Sequence, residues 1–422
     1  MRIIYLHQYF NLPTDPGGTR SYEMAKKLVQ AGHKVFMITS DHHGKFKERG
    51  WRVTMEDGIE VHWLSLLYNN KMSYSKRIKT FLKFAIKAAH RAAQIPAEVV
   101  FATSTPLTIA IPGVYASKRQ KIPMVFEVRD LWPDVPIALN IIKNPILKKL
   151  SYLLEKFAYS NSAMIVALAP GMAKAIEKKG YPSKRLAIIP NGTDILLFQV
   201  KNNGMNYVVK KFPGISNHQV VIYAGAIGLA NGVEYIPILA SKIKRLDPNT
   251  RLKFIIIGDG VCKEKVENLS KKLGVLNQTV FLIGSIPKKE IPHWLASGSA
   301  TLMTYSGPPI LYRDSVSNKF FDSLAAGKPI LANFEGFSTK IAEKFGVCKI
   351  LDKDPCLAAQ QLINLFNNPD WFKEAEKASI KLAKTFDRQE LALKLETVLM
   401  SVVANKYPSE KIGKEFIELW QR

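Results

Sequence analysis

Short apolar runs alternate with longer stretches of helical periodicity along most of the chain. The first half has apolar runs at 2–6, 34–39, 98–104, 124–128, 163–168 and 186–190, and the second half at 220–227, 252–260, 280–284, 300–305 and 329–333. Runs of this length that alternate with helices predict parallel strands joined by crossover helices. Because a polar stretch near 199–218 separates the two series, the pattern predicts an α/β protein with two doubly wound, Rossmann-like domains.

The domain boundary is predicted where turn residues replace the apolar period, in PNGTDILLFQVKNNGMN at 190–206. We predict an N-terminal domain at 1–198, a linker region at 199–218 and a C-terminal domain at 219–386, followed by helices and a tail at 387–422. Open parallel sheets bind ligands at the carboxyl ends of their strands. Two such domains that face each other would therefore form a cleft with loops from both.

The charge balance points to a polyanionic neighbour. The 422 residues include 60 Lys and Arg against 35 Asp and Glu, a formal charge of +25. Nucleic acid, an anionic membrane and phosphorylated substrates all fit this excess. The three cysteines have no CxxC spacing and indicate free thiols in a reducing compartment. With no apolar run of 18 residues and no signal-peptide pattern, we expect no transmembrane helix and a cytoplasmic protein.

The first candidate motif is DPGGTRSYEMAKKL at 15–28, at the start of a predicted helix. Gly17 and Gly18 let the backbone approach a ligand, and the N–H groups that follow attract phosphate. Arg20 stands in the first turn, where a cation opposes the helix dipole, so an anion is expected beside it. The structural alternative is a tight turn capped by Thr19. The spacing matches neither a dinucleotide fingerprint nor a P-loop.

The second motif is FEVRDLWPD at 126–134, which ends a predicted strand in a cluster of charged residues. Polar side chains at a strand's carboxyl end are placed for catalysis or binding. Arg129 and Asp130 are the leading catalytic candidates, and the alternative is a surface cluster of salt bridges.

The third motif is DSVSNKFFDSLAAGKPI at 314–330. A helix that begins near Ser317 presents free N–H groups and Lys319 to a diphosphate. Asp322 lies one turn further along, where its carboxylate could accept hydrogen bonds from the two hydroxyls of a ribose. The alternative is a Lys319–Asp322 surface pair, which would stabilise the helix by only tenths of a kcal/mol.

In their order along the chain, these stretches resemble retaining glycosyltransferase family 4, whose GT-B fold has two facing Rossmann-like domains. The resemblance covers about residues 1 to 405 and adds GHKV at 32–35, PNGTD at 190–194, YAGAIGLANGVE at 223–234, GDG at 258–260 and DSLAAGKP at 322–329. FEVRDLWPD and VSNKFFDSLAAGKP resemble the branch that builds bacterial O-antigen and capsule polysaccharides, including N-acetyl-L-fucosamine transferases. The fold implies a C-terminal helix that returns to the N-terminal domain.

The resemblance implies a donor site in the C-terminal domain. Asp314 and Asp322 stand at the two glutamates of the family's E-x7-E motif, each one methylene shorter. The cationic pair that grips the donor diphosphate in the family falls at Ala226 and Asn231, where both charges are missing. Lys319 is our candidate to replace them.

Three glycines and one asparagine complete the predicted donor site. We expect backbone N–H groups from Gly225 to Gly228, with Gly258 and Asn318 nearby. In the N-terminal domain, Arg129 stands where many relatives have a histidine before Asp130.

The resemblance further implies a UDP-sugar as donor substrate, transfer with retention, and neither a cofactor nor a metal. No metal-ligand spacing occurs in the sequence. The implied acceptor is a saccharide on an undecaprenyl-diphosphate-type lipid.

A basic amphipathic stretch suits such an acceptor. KMSYSKRIKTFLKFAIKAAHRAA at 71–93 carries seven Lys or Arg and no acidic residue. This pattern is typical of a helix on anionic lipid, as well as of a core helix with a solvated basic face. We expect peripheral binding to the inner face of the cell membrane.

Two alternatives remain at this point. A nucleotide-sugar 2-epimerase shares the two-domain architecture, but the basic amphipathic stretch would have no purpose in it. A nucleic-acid binder would explain the charge, but no recognisable reading motif or stacking platform occurs, so nucleic acid is not an expected partner.

Overall fold

The computed structural model describes residues 1–47, 49–68, 72–200 and 204–421. The chain divides into two compact units. The first unit comprises Met1–Leu12, Thr19–Pro190 and Gln389–Arg422, and the second comprises Pro13–Gly18 and Asn191–Arg388. The C-terminal helices therefore belong to the N-terminal unit, as predicted, and the Gly-Gly loop belongs to the second unit although it lies near the N-terminus.

The first unit contains an eight-stranded sheet in the order β3-β4-β2-β1-β5-β6-β7-β8. Its strands are β1 (Arg2–Leu6), β2 (Lys34–Asp41), β3 (Trp51–Glu56), β4 (Ile59–Ser65), β5 (Val99–Thr103), β6 (Met124–Val128), β7 (Met164–Ala167) and β8 (Leu186–Ile188). All neighbours pair in parallel except β3 and β4. The strand order reverses direction between β1 and β5, which creates a crevice at their carboxyl ends.

Helices accompany this sheet. They are α1 (Arg20–Gln30), α2 (Tyr74–Ala93), α3 (Ala110–Gln120), α4 (Asp134–Ala138), α5 (Pro145–Ser160), α6 (Pro170–Lys178), α16 (Arg388–Val403) and α17 (Lys414–Gln421). The return of the C-terminal segment is fixed by specific bonds. The His33 ring lies 2.8 Å from a Glu396 oxygen, and the Ile188 N–H donates to the Ile412 carbonyl over 2.9 Å.

The second unit contains a fully parallel six-stranded sheet in the order β11-β10-β9-β12-β13-β14. Its strands are β9 (Gln219–Ala224), β10 (Leu252–Ile257), β11 (Val280–Ile283), β12 (Ala300–Met303), β13 (Ile330–Ala332) and β14 (Cys348–Ile350). Its helices are α7 (Ile195–Phe198), α8 (Gly204–Lys211), α9 (Tyr235–Leu246), α10 (Lys263–Lys272), α11 (Ile291–Ala296), α12 (Asn318–Ala325), α13 (Phe337–Lys344), α14 (Pro355–Phe366) and α15 (Pro369–Ala383). Here the strand order reverses between β9 and β12.

The two predicted doubly wound sheets are confirmed, because the buried apolar runs form parallel strands. The predicted linker at 199–218 is wrong. Val208 and Ile215 are buried with Phe198 in the core of the second unit, so most of this stretch is part of that unit. Residues 201–203 lie outside the described part of the chain.

The sequence pattern also missed a hairpin. β3 and β4 pair antiparallel around Asp57 and Gly58, both with positive φ. An Asp-Gly pair between apolar segments is a strong hairpin signal, and it was available in the sequence.

Among the described residues, no helix is both long and apolar enough to cross a membrane.

Candidate active site

In the second unit, the crevice where the strand order reverses is lined by the ends of the central strands. Gly225 directly follows β9, Gly258 follows β10 and Tyr305 lies just beyond β12. The N-terminus of α12 reaches the same place, because the Lys319 side chain contacts the position where a Cβ on Gly225 would lie. The predicted donor residues on three separate segments therefore come together at one sheet edge.

The start of α12 follows the sequence prediction. Asn318 is its first residue, and the Ser317 hydroxyl caps it by accepting a hydrogen bond from the Lys319 N–H over 3.2 Å. Phe320, Phe321 and Leu324 are fully buried, so the apolar face of the helix anchors it against the core. A rigid helix thus directs its N-terminus toward the crevice.

Lys319 is the most unusual residue of this site. Its Nζ atom lies 3.4 Å from the Tyr223 hydroxyl oxygen and 5.0 and 6.0 Å from the ring centroids of Tyr223 and Tyr305. No described carboxylate forms a salt bridge with it. Because it is desolvated in this way, burial lowers the pKa of Lys319 to about 8. The crevice therefore holds a cation with no negative partner of its own in the described part of the chain.

Gly225 makes room for this lysine. A Cβ atom at position 225 would lie 3.0 Å from both Cδ and Nζ of Lys319. The family resemblance places the missing diphosphate-binding cation at Ala226, the next residue. The Lys319 side chain thus places a positive charge beside the loop after β9, where this chain lacks the cation that the family has.

The backbone N–H groups predicted to hold a diphosphate are mostly used within the protein. Gly225 donates to the Ile257 carbonyl and Ile227 to the Asp259 carbonyl, both over 2.9 Å. The Gly228 N–H donates to Asn231 Oδ1 over 3.2 Å. The prediction that Gly225 and Gly228 offer backbone donors is therefore wrong, because the loop satisfies those donors internally.

Gly258 also has a packing role. A Cβ at this position would lie 1.9 Å from the Gly225 carbonyl oxygen, and its φ of 149° is one that other residues rarely adopt. The glycine allows the loops after β9 and β10 to touch, which fixes the position of Gly225.

The two aspartates of the third motif are nearly buried, and each has a cationic partner. Asp322 forms a salt bridge through Oδ2 with Lys288, and both side chains are 11 % exposed. Asp314 accepts a hydrogen bond from Arg313 Nε over 2.9 Å. The predicted alternative of a Lys319–Asp322 surface pair is thus wrong. Lys288 was missed, because nothing in its local sequence links it to a position 34 residues away.

The Gly-Gly loop reaches the same helix start. A Cβ on Gly18 would lie 2.7 Å from the Asn318 side-chain nitrogen, so only glycine fits there without displacing Asn318. The Asp15 carbonyl accepts the Lys288 N–H over 3.4 Å. Gly17 and Gly18 thus lie in the second unit with the predicted donor residues.

Arg20 serves a different purpose from the one predicted. It is 1 % exposed and forms a salt bridge of 2.7 Å with Glu127 in the first unit, where it also donates to the Pro190 and Ile189 carbonyls. Burial would raise the pKa of Glu127, but Arg20, Arg129 and the Thr103 hydroxyl lower it on balance. The expected anion beside Arg20 is therefore an internal carboxylate, and its assignment to a phosphate loop is wrong.

The predicted cap by Thr19 is also wrong. Thr19 occupies the N-cap position of α1, but its side chain makes no capping hydrogen bond.

Arg129 and Asp130 follow β6 at the crevice of the first unit. Arg129 Nη1 lies 3.2 Å from Nε2 of His7, which follows β1. Burial and the Arg129 charge hold the pKa of His7 well below its usual value, so the ring stays neutral and accepts the hydrogen bond. Asp130 is exposed, but desolvation by its surroundings still raises its pKa, and Arg129 partly opposes this.

The surface-cluster alternative holds for only one residue of this motif. Asp134 pairs with Lys179 over 2.8 Å and accepts a hydrogen bond from the Tyr152 hydroxyl. Glu127 is fully buried, and Asp130 faces a cavity instead.

That cavity has a volume of about 600 Å³ and lies within the first unit. It is lined by Tyr9, His42, His43, Tyr68, Arg77, Phe81, Thr105, Pro106, Asp130 and Trp132. Tyr9 packs against Tyr68 at 4.8 Å between ring centroids, and the Arg77 guanidinium lies over the Tyr68 ring at 5.6 Å. Aromatic walls with one carboxylate and one guanidinium suit a sugar that carries an anionic group.

Within the parts of the chain that the structure describes, no three His, Cys, Asp or Glu side chains are grouped to hold a metal ion.

Comparison with known families gives two matches along the chain. Residues 17–192 match the glycosyl transferase 4-like domain, and residues 218–368 match the glycosyl transferases group 1. Together the two matches cover most of the chain. No curated protein matches the sequence.

Solved structures share the fold at low sequence identity. Sucrose-phosphate synthase from Thermosynechococcus elongatus has a TM-score of 0.76 at 14% identity and covers 96% of this chain and 100% of its own. HepE of Anabaena, in complex with UDP-glucose, has a TM-score of 0.68 at 17% identity, covering 95% and 100%. WaaG, a glycosyltransferase of lipopolysaccharide biosynthesis, has a TM-score of 0.69 at 15% identity, covering 94% and 99%.

A UDP-N-acetylglucosamine 2-epimerase is also similar, with a TM-score of 0.60 at 11% identity and coverage of 98% and 99%. Likenesses at this level of identity show the fold alone, and they confirm the predicted GT-B architecture.

Proposed function

Because the chain belongs to the glycosyltransferases of the GT-B fold, we propose that it transfers a sugar from a UDP-sugar to a lipid-diphosphate-linked saccharide with retention. The branch resemblance favours an N-acetylated amino sugar and a role in O-antigen or capsule synthesis. The observation that carries the donor assignment is Lys319, whose desolvated charge lies against Gly225 in the crevice of the second unit.

A diphosphate is the ligand that this charge fits best. A desolvated cation without an anionic partner is costly, and binding an anion recovers that cost. The phosphates would also face the N-terminus of α12, where the backbone N–H groups and the helix dipole favour negative charge. In the reaction, the bond between the sugar C1 and the diphosphate breaks. Lys319 would then stabilise the charge that develops on the leaving UDP.

Asp322 fits the ribose of the same nucleotide. It lies one helical turn beyond Lys319, about 5 Å along the axis. Lys288 engages Oδ2, so Oδ1 is the oxygen that we assign to the ribose hydroxyls. Lys288 would hold the carboxylate in position, and Gly18 would let the Asn318 side chain remain beside the helix start.

The aromatic cavity of the first unit is our candidate for the acceptor. Asp130 is the carboxylate there that could orient the acceptor hydroxyl, and Arg129, the residue before it in the chain, contacts His7. In the front-face substitution implied by the family resemblance, the acceptor oxygen bonds to C1 on the face that UDP leaves. Its proton passes to the departing phosphate.

HepE, solved with UDP-glucose, and WaaG, of lipopolysaccharide biosynthesis, support the donor class and the pathway by analogy. The 2-epimerase remains the second candidate because that enzyme shares the fold. An epimerase would convert a UDP-sugar without any acceptor. A transferase needs the acceptor for net product, so product analysis with and without a lipid-linked saccharide separates the two.

The first experiment measures thermal stabilisation by UDP and by GDP. We expect UDP to raise the melting temperature of the wild type, and Lys319→Ala or Asp322→Ala to remove most of that shift. Asp130→Asn is the matched control, because it lies in the other unit and should keep the UDP shift while losing sugar transfer. If neither nucleotide stabilises the folded wild type, the donor assignment fails.

Peripheral membrane binding is the remaining part of the proposal. The basic stretch predicted at 71–93 forms α2 from residue 74, and Lys71 lies outside the described residues. Phe84, Ala85 and Ala88 are buried, so most of its apolar face belongs to the core. Its exposed face retains Leu82 and Ile86 among lysines, which supports attraction to anionic lipid more than deep insertion.

A further inference from the structure

Helix α5 carries an exposed apolar stripe. Ile146 is 67% exposed, Leu150 55%, Leu153 53% and Phe157 37%. The spacing of four, three and four residues places all four side chains on one face. Single exposed apolar residues are common, but a continuous row on a soluble surface marks an interaction site.

The opposite face of α5 is firmly attached to the first unit. Tyr159 packs against Phe126 of β6 with 6.4 Å between ring centroids, and Glu155 forms a salt bridge of 2.6 Å with Lys179. Asn144 caps the N-terminus by accepting hydrogen bonds from two backbone N–H groups. The helix thus already buries one face, and its apolar stripe is left on the outside.

Neighbouring helices extend this exposed surface. Helix α3 packs against both α2 and α5, so the outer faces of the three helices lie side by side. Leu82 and Ile86 are exposed on α2 and Tyr115 on α3. The His90 ring of α2 lies 6.0 Å from the Tyr115 ring, which connects the two helices at the surface. We call this exposed face of α2, α3 and α5 the helical face.

The charge of the helical face is of one sign. The segments 72–97, 104–126 and 135–154 contain no Asp or Glu at all. Exposed cations flank the apolar residues on each helix or beside it: Lys76, Lys79, Lys83, Lys87, Lys118, Arg119, Lys143, Lys149 and Lys156. An apolar stripe surrounded by cations alone fits a surface that offers both anions and hydrocarbon.

We propose that the helical face docks onto an anionic lipid bilayer, with the α5 stripe entering the headgroup region and the lysines of α2 binding the lipid phosphates. The inference deepens the proposed membrane association and rests on the proposed function only in choosing a membrane as partner. Two copies of the chain would bring like charges together at this face, which disfavours self-association.

The test uses the full-length protein and vesicles, without any sugar substrate. Flotation compares vesicles of phosphatidylcholine alone with vesicles containing one quarter phosphatidylglycerol. Leu150→Glu/Leu153→Glu places charges in the stripe at exposed positions, where folding should be kept. Met55→Glu is the control, because Met55 is an exposed apolar residue on β3 of the same unit. Lys79→Glu/Lys83→Glu tests the cations.

We expect the wild type and Met55→Glu to float with the anionic vesicles and the stripe variant to lose about tenfold or more in partition coefficient. Each lysine should raise the partition coefficient about fivefold at low salt. This electrostatic contribution should weaken at high salt, whereas the contribution of the apolar stripe should remain. The tryptophan fluorescence of a Leu150→Trp variant should shift to the blue on anionic vesicles.

The proposal is overturned if the stripe variant binds as well as Met55→Glu, even where the lysine variant is impaired. It is also overturned if light scattering shows a wild-type dimer that the stripe variant abolishes, because the stripe then covers a second copy. UDP stabilisation of all variants is recorded in parallel. Failure of the wild type to bind anionic vesicles, with its UDP shift intact, therefore counts against this surface alone and leaves the donor assignment unaffected.

Discussion

Lys319→Arg separates the charge of this side chain from its ability to lose a proton. In the wild type, burial lowers the pKa of Lys319 to about 8, so the charge disappears within the accessible pH range. Arginine stays protonated in proteins at any practical pH. If the charge of Lys319 binds the donor diphosphate, UDP affinity should fall with rising pH in the wild type and stay nearly constant in the variant.

The size of the effect follows from the titration. With a pKa of about 8, roughly nine tenths of the free protein carries the charge at pH 7 and roughly one tenth at pH 9. A bound diphosphate raises the pKa of the lysine, because a nearby opposite charge favours the protonated form. The Kd for UDP should therefore rise about tenfold between pH 7 and pH 9, which corresponds to about 1.4 kcal/mol.

Isothermal titration calorimetry at pH 7, 8 and 9 measures this directly. Binding at pH 9 should also take up close to one proton, visible as a dependence of the enthalpy on the buffer. The arginine variant controls for titration of the nucleotide itself, since that would affect both proteins equally. Equal pH dependence in the two proteins would refute the role of Lys319, as would wild-type affinity that is constant between pH 7 and pH 9.

Three further perturbations test the structural basis of the site. Lys319→Met should raise the melting temperature of the ligand-free protein by a few degrees, because it removes a desolvated cation. The pH dependence of folding stability gives a second check on this effect of the lysine. Between pH 8 and 10.5 the unfolded chain keeps a proton that folded Lys319 has lost, so wild-type stability should rise with pH there, and calorimetric scans of the variant should lack this rise. Arg20→Met should cost about 3–5 kcal/mol in urea unfolding because it removes the salt-bridge partner of the buried Glu127 carboxylate, and Arg20→Met/Glu127→Leu should recover much of that loss. Gly258→Ala should cost about 2–4 kcal/mol, whereas Gly214→Ala, with open space around it, should change stability by less than about 1 kcal/mol in the same assay.

The sheets could be predicted from the sequence because their strands are continuous apolar runs, and burial on both faces requires such runs. The start of α12 could be predicted for a similar reason. The order Ser317, Asn318 and Lys319 before an apolar face is a local signal for a capped helix whose N-terminus attracts anions. Both signals lie within a few adjacent residues, so no knowledge of the tertiary fold is needed to find them.

Partners distant in sequence could not be predicted in this way. Lys288 contacts Asp322 only because the segment before α11 and helix α12 meet in the folded unit, and no periodicity records this. Arg20 is a second example, in which the local sequence predicted the kind of partner but not which residue it is. Its position at a helix N-terminus correctly predicted a nearby anion, but only the fold shows that the anion is Glu127 of a central strand.

Glycine positions show why a motif can point to a crevice without giving the role of each of its residues. Gly225 and Gly228 were predicted as phosphate donors because glycine-rich loops often cradle anions. Their N–H groups are bound to the Ile257 carbonyl and the Asn231 side chain instead. What the glycine at 225 supplies is space, and Lys319 fills it. The missing Cβ at 225 therefore matters to the proposed donor site, since a larger residue there would displace the lysine that we propose as the cation of the loop.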